Sequence, residues 1–213
     1  MRTLRSLMAV GLLWPLTVAT LGAETADEIL EEVRDRYESI QDAKLTFTQH
    51  VRFSLATVDQ TVRGTLLMKK PSRYRVELES QTIVTDGTTV WSYSRPNHQV
   101  LIDRFVLDER SLSPERLLTT APTEYTTALV GEEELEGSTL QVVKLVPRSQ
   151  TGILVSLKLW VDERTWLMRK VEIVDVNGKE TTYTVHTFEV NPGIADSAFR
   201  FTIPEGADVV DLR

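Results

Sequence analysis

Between Gly64 and Pro96 the apolar positions recur at every second residue. Leu66 and Met68 alternate with Leu67 and Lys69. Tyr74, Val76 and Leu78 alternate with Arg73, Arg75, Glu77 and Glu79. A period of two is that of a strand buried on one face. The stretch predicts three strands with two connections, and one face of the first two is apolar. Such a sheet must cover that face with something, and the cover decides what the protein does.

Elsewhere the period changes. Thr25 to Asp42 places Ile29, Leu30, Val33, Tyr37 and Ile40 on one helical stripe, with charge on the other side. Thr25 and Glu28 have the spacing of a capping box. From Lys44 to Phe53 the period of two returns, with Leu45, Phe47 and Gln49 opposed to Thr46, Thr48 and His50. Asp86-Gly87 and Asn177-Gly178 sit between strand-like runs and suit tight hairpin turns.

The span from Asp103 to Tyr125 is a long, partly irregular insertion, of the kind used as a lid or binding loop. Within it Ser113 is placed to cap a short helix, with Pro114 at its first position. Leu112, Leu117 and Leu118 supply an apolar side, and Ala121-Pro122 ends it. Strands are predicted at Tyr125 to Val130, Glu132 to Leu135, Leu140 to Pro147 and Leu154 to Asp162. In the last of these Val155, Leu157, Leu159 and Val161 share a face. A hairpin follows over Leu167 to Val190. Ala195 to Phe199 reads as a helical turn and Phe201 to Ile203 as a last strand. The sum is one long antiparallel sheet with an N-terminal helix and one or two short central helices, an α+β chain.

Composition narrows the class. Arg2 and Arg5 precede an apolar run from Leu7 to Leu21, and Ala23 ends it, which is the layout of a secretory signal peptide over residues 1–23. The run contains Gly11 and Pro15 and is short for a membrane span. Cleavage there takes 23 of 213 residues and leaves 190 (213 − 23), enough for one domain over 24–213. The formal charge of −7 becomes −9 once the two arginines leave (−7 − 2), a poor match to nucleic acid or anionic membranes. The chain has no cysteine, so an exported form must stand on its core alone and has no thiol for a lipid anchor.

The catalytic inventory is thin. His50, His98 and His186 are the only histidines and lie far apart in sequence, and no nucleophile elbow, phosphate loop or zinc signature is present. The apolar inventory is large. Phe47, Leu66, Met68, Tyr74, Val76, Leu78, Trp91 and Tyr93 come from the first half. Val155, Leu157, Leu159, Trp160, Trp166 and Phe188 come from the second. Periodicity leaves two readings of these open, a packed core between sheet and helices or an apolar ligand cavity.

Four segments carry a resemblance. They are DAKLTFTQHV after the opening helix, GTLLMKKPSRYRVEL, TIVTDGTTVWSYSRP, and FEVNPGIADSAFRFTIPEGADVVD at the C-terminus. In this order they resemble the periplasmic outer-membrane lipoprotein carrier family, LolA. The resemblance implies an incomplete, half-open antiparallel β-barrel whose apolar concave face is closed by helices. It implies a soluble, monomeric periplasmic carrier that needs no cofactor and is not an enzyme. Such a carrier takes the acyl chains of lipoproteins released by an inner-membrane ABC transporter and hands them to an outer-membrane receptor.

The acyl-chain cavity implied is lined by Phe47, Leu66, Met68, Tyr74, Val76, Leu78, Trp91 and Tyr93, with Leu157 and Leu159. The Asp103–Tyr125 segment and the Thr25–Ile40 helix are the closing elements. Family members place an arginine before the proline between strands, where it holds the lid. Here Lys70 precedes Pro71, a point charge rather than a planar fork. Lys70 is therefore the residue carried over for lid control. The alternative to a carrier is a lipid- or lipoprotein-binding sensor on the same half-barrel scaffold, and an envelope hydrolase is a third possibility.

Overall fold

The computed structural model describes residues 25–53, 59–106, 114–149 and 151–213. The expected signal peptide and the Leu112 and Ser113 positions lie outside them. Helix α1 (Ala26–Ser39) is followed by strands β1 (Asp42–Phe53), β2 (Asp59–Lys69), β3 (Arg73–Leu78), β4 (Gln81–Thr85), β5 (Thr89–Ser94) and β6 (Gln99–Arg104). After helix α2 (Pro114–Glu124) come β7 (Tyr125–Leu135), β8 (Ser138–Pro147), β9 (Leu154–Asp162), β10 (Leu167–Asp175) and β11 (Lys179–Val190). A 3₁₀ turn (Asp196–Phe199) and β12 (Asp208–Asp211) end the chain.

These strands join one 12-stranded sheet, ordered β12-β6-β5-β4-β3-β2-β1-β11-β10-β9-β8-β7. Two antiparallel meanders meet where β1 pairs with β11. Among the described strands only β12 runs parallel to its neighbour, β6. The outer strands β12 and β7 do not meet, so the barrel is open.

α1 begins as its sequence predicts. The Thr25 amide donates to Glu28 Oε2 at 2.7 Å and the Glu28 amide donates back to Thr25 Oγ1 at 3.3 Å. Its stripe of Ile29, Leu30, Val33, Tyr37 and Ile40 is buried with α2's Leu117, Leu118 and Ala121. Both helices lie on one face of the sheet, over Val143, Leu145, Leu157, Leu159 and Val161. Asp27 accepts from Thr127 Oγ1 of β7 at 2.6 Å and fixes the N-terminal end of α1.

Several expectations are corrected. The Gly64–Pro96 stretch holds parts of four strands, because Glu79-Ser80 turns the chain between β3 and β4. Pro122 does not end α2, which runs two residues further to Glu124. A proline this close to the end forfeits one intrahelical bond without stopping the last turn. The two strands expected over Tyr125 to Leu135 are a single β7, bulged between Leu129 and Gly131, where Gly131 takes φ +133°. In β9 a register shift skips Val155, leaving it 45% exposed, and Leu154 packs on the core instead. The last strand is Asp208–Asp211, not Phe201–Ile203.

The residues from Asn191 onward form a tail that crosses the face opposite the helices. Asn191 Oδ1 accepts from the amides of Gln41 and Asp42 at 2.8 and 3.2 Å. Asp42 in turn accepts from the amides of Gly193 and Ile194 at 3.0 and 3.3 Å. Asp196 bridges Lys69 at 2.6 Å and Arg73 at 2.9 Å. Phe199 is then 1% exposed, and Val84 and Val100 are fully buried.

Candidate functional site

Directly paired residues of antiparallel strands project to the same side, and successive residues to opposite sides. Met68 packs in the helix-covered core, which fixes the sides of everything registered to it. One row on the helix side runs Phe188, Leu45, Leu66, Val76, Ile83, Ser92 and Leu101 across seven strands. The row begins beneath α1, where Phe188 meets Tyr37 edge to face at 6.3 Å. Its exposure rises along the way. Leu45 is buried, Leu66, Val76 and Ile83 are half-buried, and Leu101 is 37% exposed. The helices thus cover one half of an apolar face and leave the β2–β6 half only partly covered.

A second row shows why Gly64 stands where it does. Phe47 is registered to Gly64, which is registered to Leu78. A Cβ on Gly64 would lie 2.5 Å from the Phe47 ring and 2.6 Å from Leu78. The missing side chain lets the Phe47 ring lie flat across β2, and Tyr183 meets that ring at 5.9 Å.

The expected cavity residues separate into four groups, one of them Met68 and Tyr74 in the wall of the smaller cavity between α1 and β2–β3. Leu66, Val76 and Leu78 form the half-buried apolar surface just described, with Phe47 buried beside it. Leu157 and Leu159 lie on the same side but are sealed beneath the helices, 1% and 0% exposed. Trp91 and Tyr93 are corrected. They are registered to Val84 and Thr82 and project to the other face, where both meet Phe201 of the tail at 6.4 and 6.3 Å. A period of two places these aromatics opposite Val90 and Ser92, and it is Val90 and Ser92 that share the side of Val76.

Two cavities open on the helix side. The smaller, about 150 Å³, lies between the end of α1 and β2–β3, with Tyr37, Met68, Lys70, Tyr74 and Leu118 in its wall. Lys70 Nζ donates to the carbonyls of Tyr37 at 3.1 Å and Glu38 at 2.7 Å. These are last-turn carbonyls of α1, the Tyr37 one also accepting from the Ile40 amide at 3.2 Å, and a helix C-terminus is a favourable place for a cation. Lys70 therefore ties a closing element to the sheet, and that element is α1. Burial pushes the Tyr37 hydroxyl well above its ordinary range, with a backbone hydrogen bond from Met168 opposing.

The larger cavity, about 710 Å³, lies at the other end of α2. Gln49, Tyr125, Leu154, Ile173, Thr181 and Tyr183 are in its wall. None of the expected cavity residues lines it. Gln49 was readable, since it follows Phe47 by two on the same face. Tyr183 and Ile173 depend on the β1–β11 and β10–β11 registers, the first of which links residues more than a hundred positions apart.

Among the described residues no group of three His, Asp or Glu is arranged to hold a metal ion, and no helix is long and apolar enough to cross a membrane. The face opposite the helices carries a second small cluster of Leu140, Val142 and Trp160. There the Trp160 indole donates to Glu133 at 2.6 Å, holding that carboxyl below its usual range, and Lys170 stands 4.0 Å over the ring.

Comparison with known proteins follows the same line. The family model described as outer membrane lipoprotein carrier protein LolA matches residues 38–202. An outer-membrane lipoprotein carrier protein of Leptothrix cholodnii is 30% identical over 194 residues, 89% of this chain and 88% of the relative. One from Hahella chejuensis is 30% identical over 201 residues, 92% of this chain and 93% of the relative. Among solved structures, an uncharacterized conserved protein from Thermus thermophilus superposes with a TM-score of 0.58 at 18% identity, covering 87% of this chain and 98% of that one.

Proposed function

Because the chain belongs to the LolA family of outer membrane lipoprotein carrier proteins, we propose that it is a periplasmic carrier that holds lipoprotein acyl chains on the helix side of its sheet. The observation that carries this is the row from Leu45 through Leu66, Val76 and Ile83 to Leu101, apolar but for Ser92, which leaves the shelter of the helices half-way across.

Each methylene buried from water is worth about 0.8 kcal/mol. A protein with several acyl chains does not cross an aqueous space unaided, and a carrier must offer apolar area it can also give up. Rigid strands supply the area. The α1–α2 cover, held at one end by Lys70, is the part that moves. Cargo enters from an inner-membrane ABC transporter and leaves to an outer-membrane receptor. No bond is made or broken, so the role calls for no catalytic group.

The test incubates the purified mature protein with inner-membrane vesicles bearing lipoproteins, the releasing transporter and ATP. Lipoprotein should appear in the supernatant bound to the protein. A supernatant free of lipoprotein, with a known carrier active in the same vesicles, would sink the proposal.

A further inference from the structure

The large cavity is not apolar throughout. Along β1 the helix-side positions run Ala43, Leu45, Phe47 and then Gln49. Across from Gln49 stands Tyr183, followed on β11 by Thr181 and Lys179 on the same side. Val51 and Phe53 continue the same side of β1, so Gln49 is the one polar position in that row, and it faces Tyr183 across the β1–β11 pairing. Gln49 Nε2 donates to Tyr183 Oη at 3.1 Å. Gln49 is half-buried. Burial raises the Tyr183 hydroxyl above its ordinary range and the Gln49 bond opposes it, so the phenol is held neutral and able to donate. Among the described residues neither the Tyr183 O–H nor the second Gln49 N–H has an acceptor.

We infer that the Gln49–Tyr183 pair binds the acyl carbonyls at the root of the cargo's chains and sets the direction in which the chains enter. This rests on the proposed carrier reading and adds a polarity to it. The chemistry is that of an ester or N-acyl amide oxygen, an acceptor at the junction of a hydrocarbon chain and a polar head. Two free donors await it one step along the face beyond the Phe47 ring. The cavity of about 710 Å³ has room for the junction of a lipid. Ile173 and Leu154 pack the first methylenes, and the chains continue past Phe47 toward Leu66 and Val76. The polar head is left toward the Lys179 end.

The experiment uses the mature chain and two probes with the same fluorophore and chain length, a diacylglycerol and its dialkyl ether. The ether keeps the hydrocarbon and lacks the carbonyls. Wild type should bind the diester about fivefold to tenfold more tightly, the worth of roughly one neutral hydrogen bond. Gln49→Leu with Tyr183→Phe should bind both probes equally, at the wild-type ether affinity. Tyr183→Phe keeps the ring against Phe47, and a melting curve checks that the variants are folded. Leu66→Glu should weaken both probes alike. A wild type with no preference, or a double variant that keeps it, overturns the assignment and leaves the carrier reading standing. A wild type that binds neither probe overturns both.

Discussion

Lys70→Met removes the ammonium that closes the end of α1 and keeps most of the stem. In the wild type Nζ donates to two carbonyls, of Tyr37 and Glu38, at 3.1 and 2.7 Å. Its backbone is held in place by the Lys70 amide, which donates to the Gln41 carbonyl at 2.9 Å, so the side chain starts from a fixed root. Hydrogen bonds from a charged donor are worth about 1.5–3 kcal/mol each. Placing a cation at a helix C-terminus adds about 0.3–1 kcal/mol. Ordering a lysine takes back up to about 2 kcal/mol. The balance is about 1–5 kcal/mol, and the half-exposed ammonium, partly screened by water, keeps it toward the low end, so roughly tenfold to a hundredfold in the opening of α1's last turns.

The N-terminal end keeps its own tie through Asp27 and Thr127. The helix should therefore swing from its C-terminal end. Native-state hydrogen exchange reads this directly. Amides from Val33 to Ile40 should exchange about tenfold or more faster in Lys70→Met, while those of β9 and β10 change little. Unchanged α1 amides would refute the tie. An equal acceleration throughout the chain would show that Lys70 adds only to global stability and gates nothing.

Leu66→Glu places a charge in the half-covered row and should weaken binding of a fluorescent acyl probe by roughly tenfold or more. Trp91→Ala, on the other face, should leave that affinity within about twofold yet lower stability by about 1–2 kcal/mol through lost packing on Phe201. A denaturation curve and a probe titration on both variants separate the faces. Gly64→Ala drives a methyl into the Phe47 ring and Leu78 and should cost about 1–3 kcal/mol in urea unfolding. Asp196 is held below the ordinary carboxylate value of 3.8, first by its hydrogen bond from Lys69 and then by Arg73. Its folded-state value is lowered, so the tie to the tail is complete above 3.8 and is lost as pH falls through the lower folded value. Exchange of the Asp196–Phe199 amides should rise below pH 3.8 in wild type, and Asp196→Asn should remove that step.

Local order was legible where a single period governs a segment. β9 runs over the span its alternation predicts, and α1 starts at its capping box. Turn chemistry was legible at Asp86-Gly87, where Gly87 takes φ +96° and Asp86 Oδ1 accepts from the amides of Thr88 and Thr89. The break at Glu79-Ser80 was missed because neither residue is a strong turn former. The Val155 bulge was missed because a register shift leaves no mark in the composition of the strand it interrupts.

The misplacement of Trp91 and Tyr93 has a deeper cause. Alternation tells which residues share a side and is silent on what covers that side. In β4 and β5 both sides are partly apolar, Ile83 and Val90 on one, Val84 and Trp91 on the other. A reader who looks for a ligand surface chooses the aromatic side. The tail decides otherwise, and its Phe199 and Phe201 were the signal. A C-terminal segment with two phenylalanines two apart must bury them somewhere, and the aromatic side of β5 is where an apolar surface was left over. Once that side is sealed by the tail and by the Asp196 bridges, the proposed carrier role is left the opposite side for its ligand, and the cover there is short. α1 and α2 span the β7–β11 half and reach only to Met68 and Tyr74. Over β4 to β6 the chain thus uses its aromatic residues to close one face and leaves aliphatic ones, Ile83, Val90 and Leu101, on the other. That division fits a carrier, because flat aliphatic surface binds methylenes in many arrangements and holds none of them by a specific contact. What specificity remains must then come from the few polar groups set among them, and on the helix side those next to Phe47 are Gln49 and Tyr183.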